Sequence, residues 1–353
     1  MNHLTRFLPL LAVLATNACA VQSQDSSPTT NTNPTDGVHA APPARPERGD
    51  ATGVTRWFVV RSFDLGTTDA GWRSLGYDLD GKITSAADSQ TSLGTCLRAH
   101  GSAAAVLTDG DEGIDNNFGG HLFGTMRSIK SDTLETINAS IAHGGETLLL
   151  RLDGVDGDDD ANVTGAVYTA RHADGVPPTF AAGDHFSVVS SALWDGVDLA
   201  KPRYAFPWGY MRGGVWVSGP LERMDLTIGL NTDSAHLELP LDRVQLSFRV
   251  ADGSAGVLAG VANTSRVWTG MKPFFDVSCD SNPDTKKILS VVADDVLALS
   301  DLVDGDDSLQ DTSKPCDAMS VGMGFVAAPV AAPDAVVAPV PATAPVDCAP
   351  PKP

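Results

Sequence analysis

The sequence predicts a mainly β, α+β fold: an antiparallel β-sandwich or jelly-roll-like domain with two or three peripheral helices. Of the 44 acidic residues, 38 are Asp and 6 are Glu. Helix-rich proteins favour Glu, whereas Asp belongs in turns and cation-binding loops. The chain of 353 residues also contains 34 Gly and 23 Pro, which is typical of loop-rich β proteins. Many short apolar runs at regular spacing complete the pattern.

The first predicted strand covers residues 55–63 (TRWFVVRSF), which are rich in β-branched and aromatic side chains. An acidic loop region follows to residue 113. A helix is expected next, because Leu122, Met126 and Ile129 are spaced four and three residues apart and so share one face.

A second helix is predicted to begin at Ser131 or Asp132. Asp132 and Glu135 have the spacing of a capping box, and the glycine pair at 144–145 ends the helix. The chain then returns to strand patterns separated by turn residues, with a late helix over residues 284–300. The further predicted strands cover residues 147–152, 163–171, 186–193, 214–218, 224–230, 236–239, 244–250, 256–261 and 319–327.

Both ends of the chain differ in composition from the body. Residues 1–20 have the basic start and short apolar run of an export signal, too short to span a bilayer. Residues 21–52 are rich in Ser, Thr, Asn and Pro, which predicts a disordered tether. Residues 328–353 form an Ala- and Pro-rich tail with extended, polyproline-like character. A single mainly β domain is therefore expected over residues 53–327.

Two kinds of signal processing fit the residues around Cys19. The run Thr16-Asn17-Ala18-Cys19 is similar to a lipobox, in which Cys19 is acylated and becomes the new N-terminus. The alternative is ordinary cleavage after Ala20, because Ala18-Cys19-Ala20 has the A-x-A form. The following tether favours a lipoprotein of the bacterial cell envelope, with a secreted or periplasmic protein as the alternative.

The remaining four cysteines indicate two disulfides in an oxidising compartment. The expected pairs are Cys279–Cys316, near the last helix and strand, and Cys96–Cys348, which joins the tail to the body. The alternative for Cys348 is a free or intermolecular thiol. Because the chain has no C-x-x-C pair, structural zinc and thioredoxin-type redox chemistry are not expected.

A calcium site is predicted in the first loop region. Residues 76–84 (GYDLDGKIT) resemble part of a calcium loop, in which Asp78 and Asp80 offer oxygen ligands and Gly81 permits a sharp turn. The EF-hand pattern is incomplete, because its first and twelfth positions hold Gly76 and Ala87.

Residues 109–117 (DGDEGIDNN) supply further oxygens. We therefore expect the two segments to fold together, with Asp78, Asp80, Asp109, Asp111 and Asp115 lining one site. The alternative is that these carboxylates only form Asx-turns and helix caps without a metal.

The most aromatic stretch covers residues 194–212. Trp194, Tyr204, Trp208 and Tyr210 lie there beside Asp and Arg, the usual materials of a sugar-binding surface. The alternative is a hydrophobic loop packed across one end of the sandwich.

The net charge and the sequence motifs limit the classes of function that are expected. The net charge of −20 argues against a nucleic-acid partner, because a polyanion would be repelled. The sequence contains neither a G-x-S-x-G elbow nor an H-E-x-x-H helix, and it singles out no catalytic residue. The expected role is a calcium-stabilised binding or structural module with envelope proteins or glycans as partners, and with membrane contact only through a lipid anchor. A lectin-like carbohydrate binder or a concanavalin-like glycoside hydrolase is the alternative.

Two motifs and the last predicted strand are similar to those of a group of known proteins. The G-x-D-L-D-G motif at 76–81, the D-G-x-x-G-x-D-N-x-F-G motif at 109–119 and the segment 316–325 (CDAMSVGMGF) resemble a group of exported bacterial proteins. The resemblance spans residues 55–327. It implies a cell-envelope location, and it transfers no catalytic residue.

Overall fold

The computed structural model describes residues 40–49, 52–66, 71–91, 94–98, 106–129, 131–172, 176–229, 236–250, 255–271, 293–305 and 309–340. All of them belong to the unit that runs from Gly37 to Pro353. The fold is mainly β with peripheral helices, and it is sandwich-like, as the sequence predicts. Among the described residues, no helix has the length and apolar character required to cross a membrane.

Fourteen strands are defined among the described residues. In chain order they are β1 (Val54–Asp64), β2 (Cys96–Leu97), β3 (Thr147–Val155), β4 (Thr164–His172), β5 (Phe186–Val189), β6 (Tyr204–Phe206), β7 (Tyr210–Arg212), β8 (Val215–Val217), β9 (Leu221–Gly229), β10 (His236–Arg249), β11 (Ala255–Asn263), β12 (Asp311–Pro315), β13 (Ala318–Val330) and β14 (Val336–Val337).

Twelve of these strands form one large sheet. Its order is β14-β5-β4-β3-β1-β13-β11-β10-β8-β7, with β6 paired to β4 and β9 paired to β10. All pairs in it are antiparallel except β14–β5. Strand β9 also contacts β3 and β6, so distant parts of the sheet pack against each other across a shared core. The two short strands β2 and β12 form a separate parallel pair.

The helices lie at the periphery. They are α1 (Ala86–Thr91), α2 (Phe123–Ile129), α3 (Thr133–Ala142) and α4 (Thr264–Met271), and a π-helical turn (Phe118–Leu122) leads into α2. Leu122 and Met126 are fully buried, as their spacing predicts. The sequence pattern did not predict α4. Of the helix predicted over residues 284–300, residues 293–297 are helical, and residues 284–292 lie outside the described part of the chain.

The two faces of strand β13 carry side chains of different size. Its large side chains, Met319, Val321, Met323 and Phe325, belong to the main hydrophobic core. The alternate positions hold Ser320, Gly322 and Gly324, because strand side chains point to opposite faces. On this second face the small residues allow a loop to lie directly against the strand.

Asn116 fastens that loop to the sheet. Its buried side chain donates to the carbonyl oxygens of Trp72 and Leu75 and accepts from the N–H groups of Gly119 and Gly322. A Cβ atom at Gly322 would lie 2.1 Å from the Leu75 carbonyl oxygen, so only glycine permits this approach. The loop region that carries the acidic motifs is therefore anchored to the centre of the sheet.

The segment 40–49, which the sequence assigns to a disordered tether, lies along the body. Asp78 N–H donates to the Ala40 carbonyl oxygen at 2.7 Å, and the Tyr210 hydroxyl donates to the Pro43 carbonyl oxygen at 2.6 Å. The Arg45 guanidinium donates to the Ala161 carbonyl oxygen and lies over the Tyr210 ring. Backbone carbonyls need no apolar side chains to bind, so composition does not reveal this contact.

The start of the predicted tail is also part of the sheet. Strand β13 continues to Val330, three residues past the predicted end of the domain, and β14 pairs in parallel with Val188–Val189. Edge strands accept proline more readily than central strands, which reconciles this pairing with the composition.

The predicted disulfide pairing is wrong for two cysteines. Cys96 is bonded to Cys316, so neither Cys279–Cys316 nor Cys96–Cys348 forms. The physical reason is the β2–β12 pair, in which Cys316 N–H donates to the Leu97 carbonyl oxygen at 2.7 Å and places the two cysteines side by side. Cys279 and Cys348 lie outside the described residues.

Candidate functional site

The two acidic segments meet on the outer face of the sheet. Tyr77 and Asp115 form an antiparallel bridge, with Asp115 N–H donating to the Tyr77 carbonyl oxygen at 2.9 Å. The Tyr77 side chain packs against the sheet at Val257, and its hydroxyl is hydrogen-bonded to Ser247 on β10. The sheet therefore fixes both acidic segments, although 36 residues separate Leu79 from Asp115.

Three carboxylates converge where the segments meet. One oxygen each from Asp78, Asp80 and Asp115 lies within 4.8 Å of the other two. Two oxygens bound to one calcium ion at about 2.4 Å are at most about 4.8 Å apart, so these groups are close enough to share an ion. Asp115 is buried, and one of its oxygens accepts hydrogen bonds from the N–H groups of Leu79 and Asp80, which fixes its orientation.

A small cavity extends this cluster. Its lining includes four carboxylates, those of Asp80, Asp109, Asp115 and Asp301, together with Asn117. The cavity volume is about 10 Å³, which is room for about one water molecule or a small ion. Asp80 and Asp115 belong to both the cluster and the cavity.

Burial and mutual repulsion disfavour the charged state of these carboxylates. Desolvation is the largest cause in each case. It raises the pKa of Asp80 to about 6, and it raises the pKa values of Asp109 and Asp301 to about 7. The pKa of Asp115 is raised well above its usual range by burial and by the charges of Asp80, Asp109 and Asp301. A bound cation would remove this unfavourable electrostatic energy.

Asp301 is the residue that sequence reasoning missed. Its carboxylate accepts hydrogen bonds from the N–H and hydroxyl groups of Ser320 on β13, which aim it at the cavity from the opposite end of the chain. Thr95, next to the disulfide, also donates to the Asp301 carbonyl oxygen at 3.0 Å. Nothing in the sequence spacing links residue 301 to residues 78–115.

Asp111, in contrast, was expected at the site and does not line it. Asp111 is exposed in a short 3₁₀ turn (Asp111–Gly113), where its carbonyl oxygen accepts from Ile114 N–H. Of the five predicted ligands, the structure places Asp78, Asp80 and Asp115 together, puts Asp109 beside Asp80 and Asp115 in the cavity, and leaves Asp111 outside.

Local hydrogen bonds of the kind named in the alternative interpretation are also present. One oxygen of Asp78 accepts from Gly81 N–H at 2.6 Å, and one oxygen of Asp80 accepts from Lys82 N–H at 2.8 Å. Gly81 has a φ of +75°, a conformation that favours glycine. Each carboxylate has a second oxygen, so turn formation and cation binding are compatible at this site.

The four aromatic residues predicted to bind a ligand have different surroundings. Trp194 is exposed beside Arg203, and the hydroxyl of half-buried Tyr204 contacts Asp225. Tyr210 is buried under segment 40–49. Trp208 lines a separate open groove. Of these four residues, Trp208 is the one that lines this groove.

Comparison of the chain with protein-family models, curated proteins and solved structures found no match. The class of the protein is therefore defined by its own fold and site: a mainly β protein with a partly buried carboxylate cluster on the face of its sheet. Cys19, the predicted lipidation residue, lies outside the described residues.

Proposed function

We propose that the protein is an exported binding or structural module of the cell envelope, with its loops held by a bound calcium ion. The observation that carries the proposal is the convergence of buried and half-buried carboxylates from three distant segments, around residues 80, 115 and 301, on one cavity. Stability requires that so many buried negative charges be neutralised by protons or by a cation.

The donor set favours calcium. Side-chain oxygens surround the cavity, and hard cations such as Ca²⁺ and Mg²⁺ prefer such ligands to nitrogen or sulfur. Mg²⁺ usually retains several waters, and a cavity of about 10 Å³ has little room for them. Ca²⁺ accepts irregular coordination by several carboxylates, which suits loops assembled from different parts of the chain.

Export is supported by the disulfide and by the start of the chain. The structure contains a disulfide between Cys96 and Cys316. Disulfides persist in oxidising compartments and are rare in the bacterial cytosol. The signal-like residues 1–20 and the cysteine at 19 support a lipoprotein of the cell envelope, with secretion as the alternative.

The mature N-terminus tests the lipid anchor. We expect mass spectrometry of the protein purified from membranes to show a peptide that begins at acylated Cys19. A Cys19→Ser variant should then appear in the soluble fraction, because a lipidated cysteine is the only anchor in the proposal. An unmodified N-terminus at Val21 in the native protein would instead support secretion.

The pH dependence of calcium stabilisation tests the site. The folded state holds protons on Asp80, Asp109 and Asp301 up to about pH 6–7, and the unfolded chain releases them near pH 4. Without metal, this contribution to stability is present at low pH and is lost as the pH rises through the folded pKa values. Calcium competes with these protons. We therefore expect the calcium-induced rise in melting temperature to be larger at about pH 7.5 than at about pH 5.

The melting temperature must be measured with and without calcium at each pH, because the titration of His121 changes the stability in the opposite direction. Burial lowers the pKa of His121 to about 4, so its contribution to stability is lost as the pH falls. That contribution is the same with calcium and with chelator and cancels in the difference. A calcium effect that is equal at both pH values, or larger at about pH 5, would contradict carboxylate ligation.

A further inference from the structure

An open groove lies beside the acidic loop. Its volume is about 690 Å³, within the range of about 300–1,000 Å³ that is typical of ligand sites. Segment 40–42 and residues 77–79 form one wall. Trp208, Glu222, Arg243 and Gln245 lie around the rest.

Trp208 is a rigid apolar platform at this groove. Its side chain is 64% exposed, which is unusual for a large aromatic residue, and it sits in the turn between β6 and β7. Gly219 has a φ of +67°, and a Cβ there would lie 2.8 Å from the Trp208 carbonyl oxygen. A Cβ at Gly209 would lie 2.2 Å from the Val163 carbonyl oxygen. Tight backbone packing on both sides therefore holds the turn that presents the ring to solvent.

Strand β10 contributes polar groups to the same groove. The register of β10 against β11 shifts between Asp242 and Gln245, and Arg243 there has a φ of +53°. Such irregularities redirect side chains and are frequent at functional sites. The planar, multiply hydrogen-bonding side chains of Arg243, Gln245 and Glu222 suit the adjacent hydroxyls of a sugar.

The charges restrict the ligand. The net charge of −20, with Glu222 in the groove, disfavours an anionic ligand. Within the groove, the opposite charges of Glu222 and Arg243 offset each other when Asp78 binds the proposed calcium ion, so the lining does not select a cationic ligand. A neutral ligand with an apolar ring face and a polar rim fits both the platform and the hydrogen-bonding groups.

We propose that this groove binds a neutral pyranose oligosaccharide, with Trp208 stacked on a sugar ring and Arg243, Gln245 and Glu222 hydrogen-bonded to its hydroxyls. The proposal rests on the proposed role as a binding module and names its ligand class. Because Asp78 and Leu79 belong to both the groove wall and the acidic loop, calcium and the sugar are expected to reinforce each other's binding.

Titration calorimetry with cellohexaose, chitohexaose, maltohexaose and galactotetraose, each to about 5 mM in calcium, tests the proposal. We expect at least one to bind, and Trp208→Ala to weaken that binding about tenfold or more. Trp194→Ala is the matched control, because Trp194 is 68% exposed and lies outside the groove lining. Its effect should stay below about twofold. Melting curves verify that both variants fold.

Three results would overturn the assignment: no binding by any of the four sugars, equal losses in the two tryptophan variants, or tighter Trp208-dependent binding of anionic hexagalacturonate. A failure of the calcium proposal is separate. It would appear as a melting temperature that chelator does not change, whereas the sugar assignment is judged by the dependence of sugar binding on Trp208.

Discussion

Calcium is expected to raise the free energy of unfolding of the metal-free protein by about 2.7 kcal/mol when its free concentration is 100 times the dissociation constant. For a domain of this size, that corresponds to a rise in melting temperature of roughly 5–10 °C. The reason is that the ion neutralises the carboxylates of Asp80, Asp109, Asp115 and Asp301, whose pKa values burial already raises. Calorimetry or circular dichroism with calcium and with chelator measures the difference.

Asp115→Asn and Asp111→Asn form a matched pair for this experiment. Asp115 lines the cavity and belongs to the three-carboxylate cluster, whereas Asp111 is exposed outside it. Both changes remove one negative charge and keep the side-chain shape. We expect Asp115→Asn to abolish most of the calcium response and Asp111→Asn to retain it.

The metal-free Asp115→Asn protein should be at least as stable as the metal-free native protein, because the change removes repulsion at a buried position. Equal calcium responses in the two variants would show that calcium acts elsewhere on an acidic surface. An unchanged melt of the native protein in chelator would exclude a tight structural ion.

Loss of the disulfide is expected to have the second large effect. Cys96 and Cys316 are 220 residues apart, so their bond restricts a very long loop in the unfolded chain. Replacing both cysteines with serine should lower the free energy of unfolding by about 2–5 kcal/mol. Denaturant unfolding without reductant measures this loss, and the double variant avoids leaving a free thiol.

The same change should weaken calcium binding. Thr95 donates to the Asp301 carbonyl oxygen, and the Cys96 sulfur lies 3.3 Å from that oxygen, in contact with it. The bonded pair therefore helps to hold Asp301 at the cavity. Cys279→Ser is the control, and it should leave the Cys96–Cys316 bond intact. Peptide mapping without reductant must recover a linked Cys96–Cys316 fragment, and a Cys279–Cys316 fragment would contradict this pairing.

The long strands could be predicted from sequence because their side chains carry the information locally. Residues 55–63 are rich in β-branched and aromatic residues, and β1 indeed covers Val54–Asp64. The runs 236–239 and 244–250 were predicted as separate strands, but both belong to the single strand β10 (His236–Arg249). The short strands β2, β6, β7, β12 and β14 have two to five residues each, which is too few for a periodic signal.

The sequence by itself determined the acidic, Asp-rich and β-rich character of the chain, and it indicated that residues 78–80 and 109–115 form loops with oxygen ligands. Composition and spacing are properties of neighbouring residues, and they are therefore visible in one dimension. Only the tertiary structure decided that Asp301 joins these loops, that Asp111 does not, and that Cys96 pairs with Cys316. Those relations depend on which strands lie side by side, and strand pairing is set by the packing of the whole sheet.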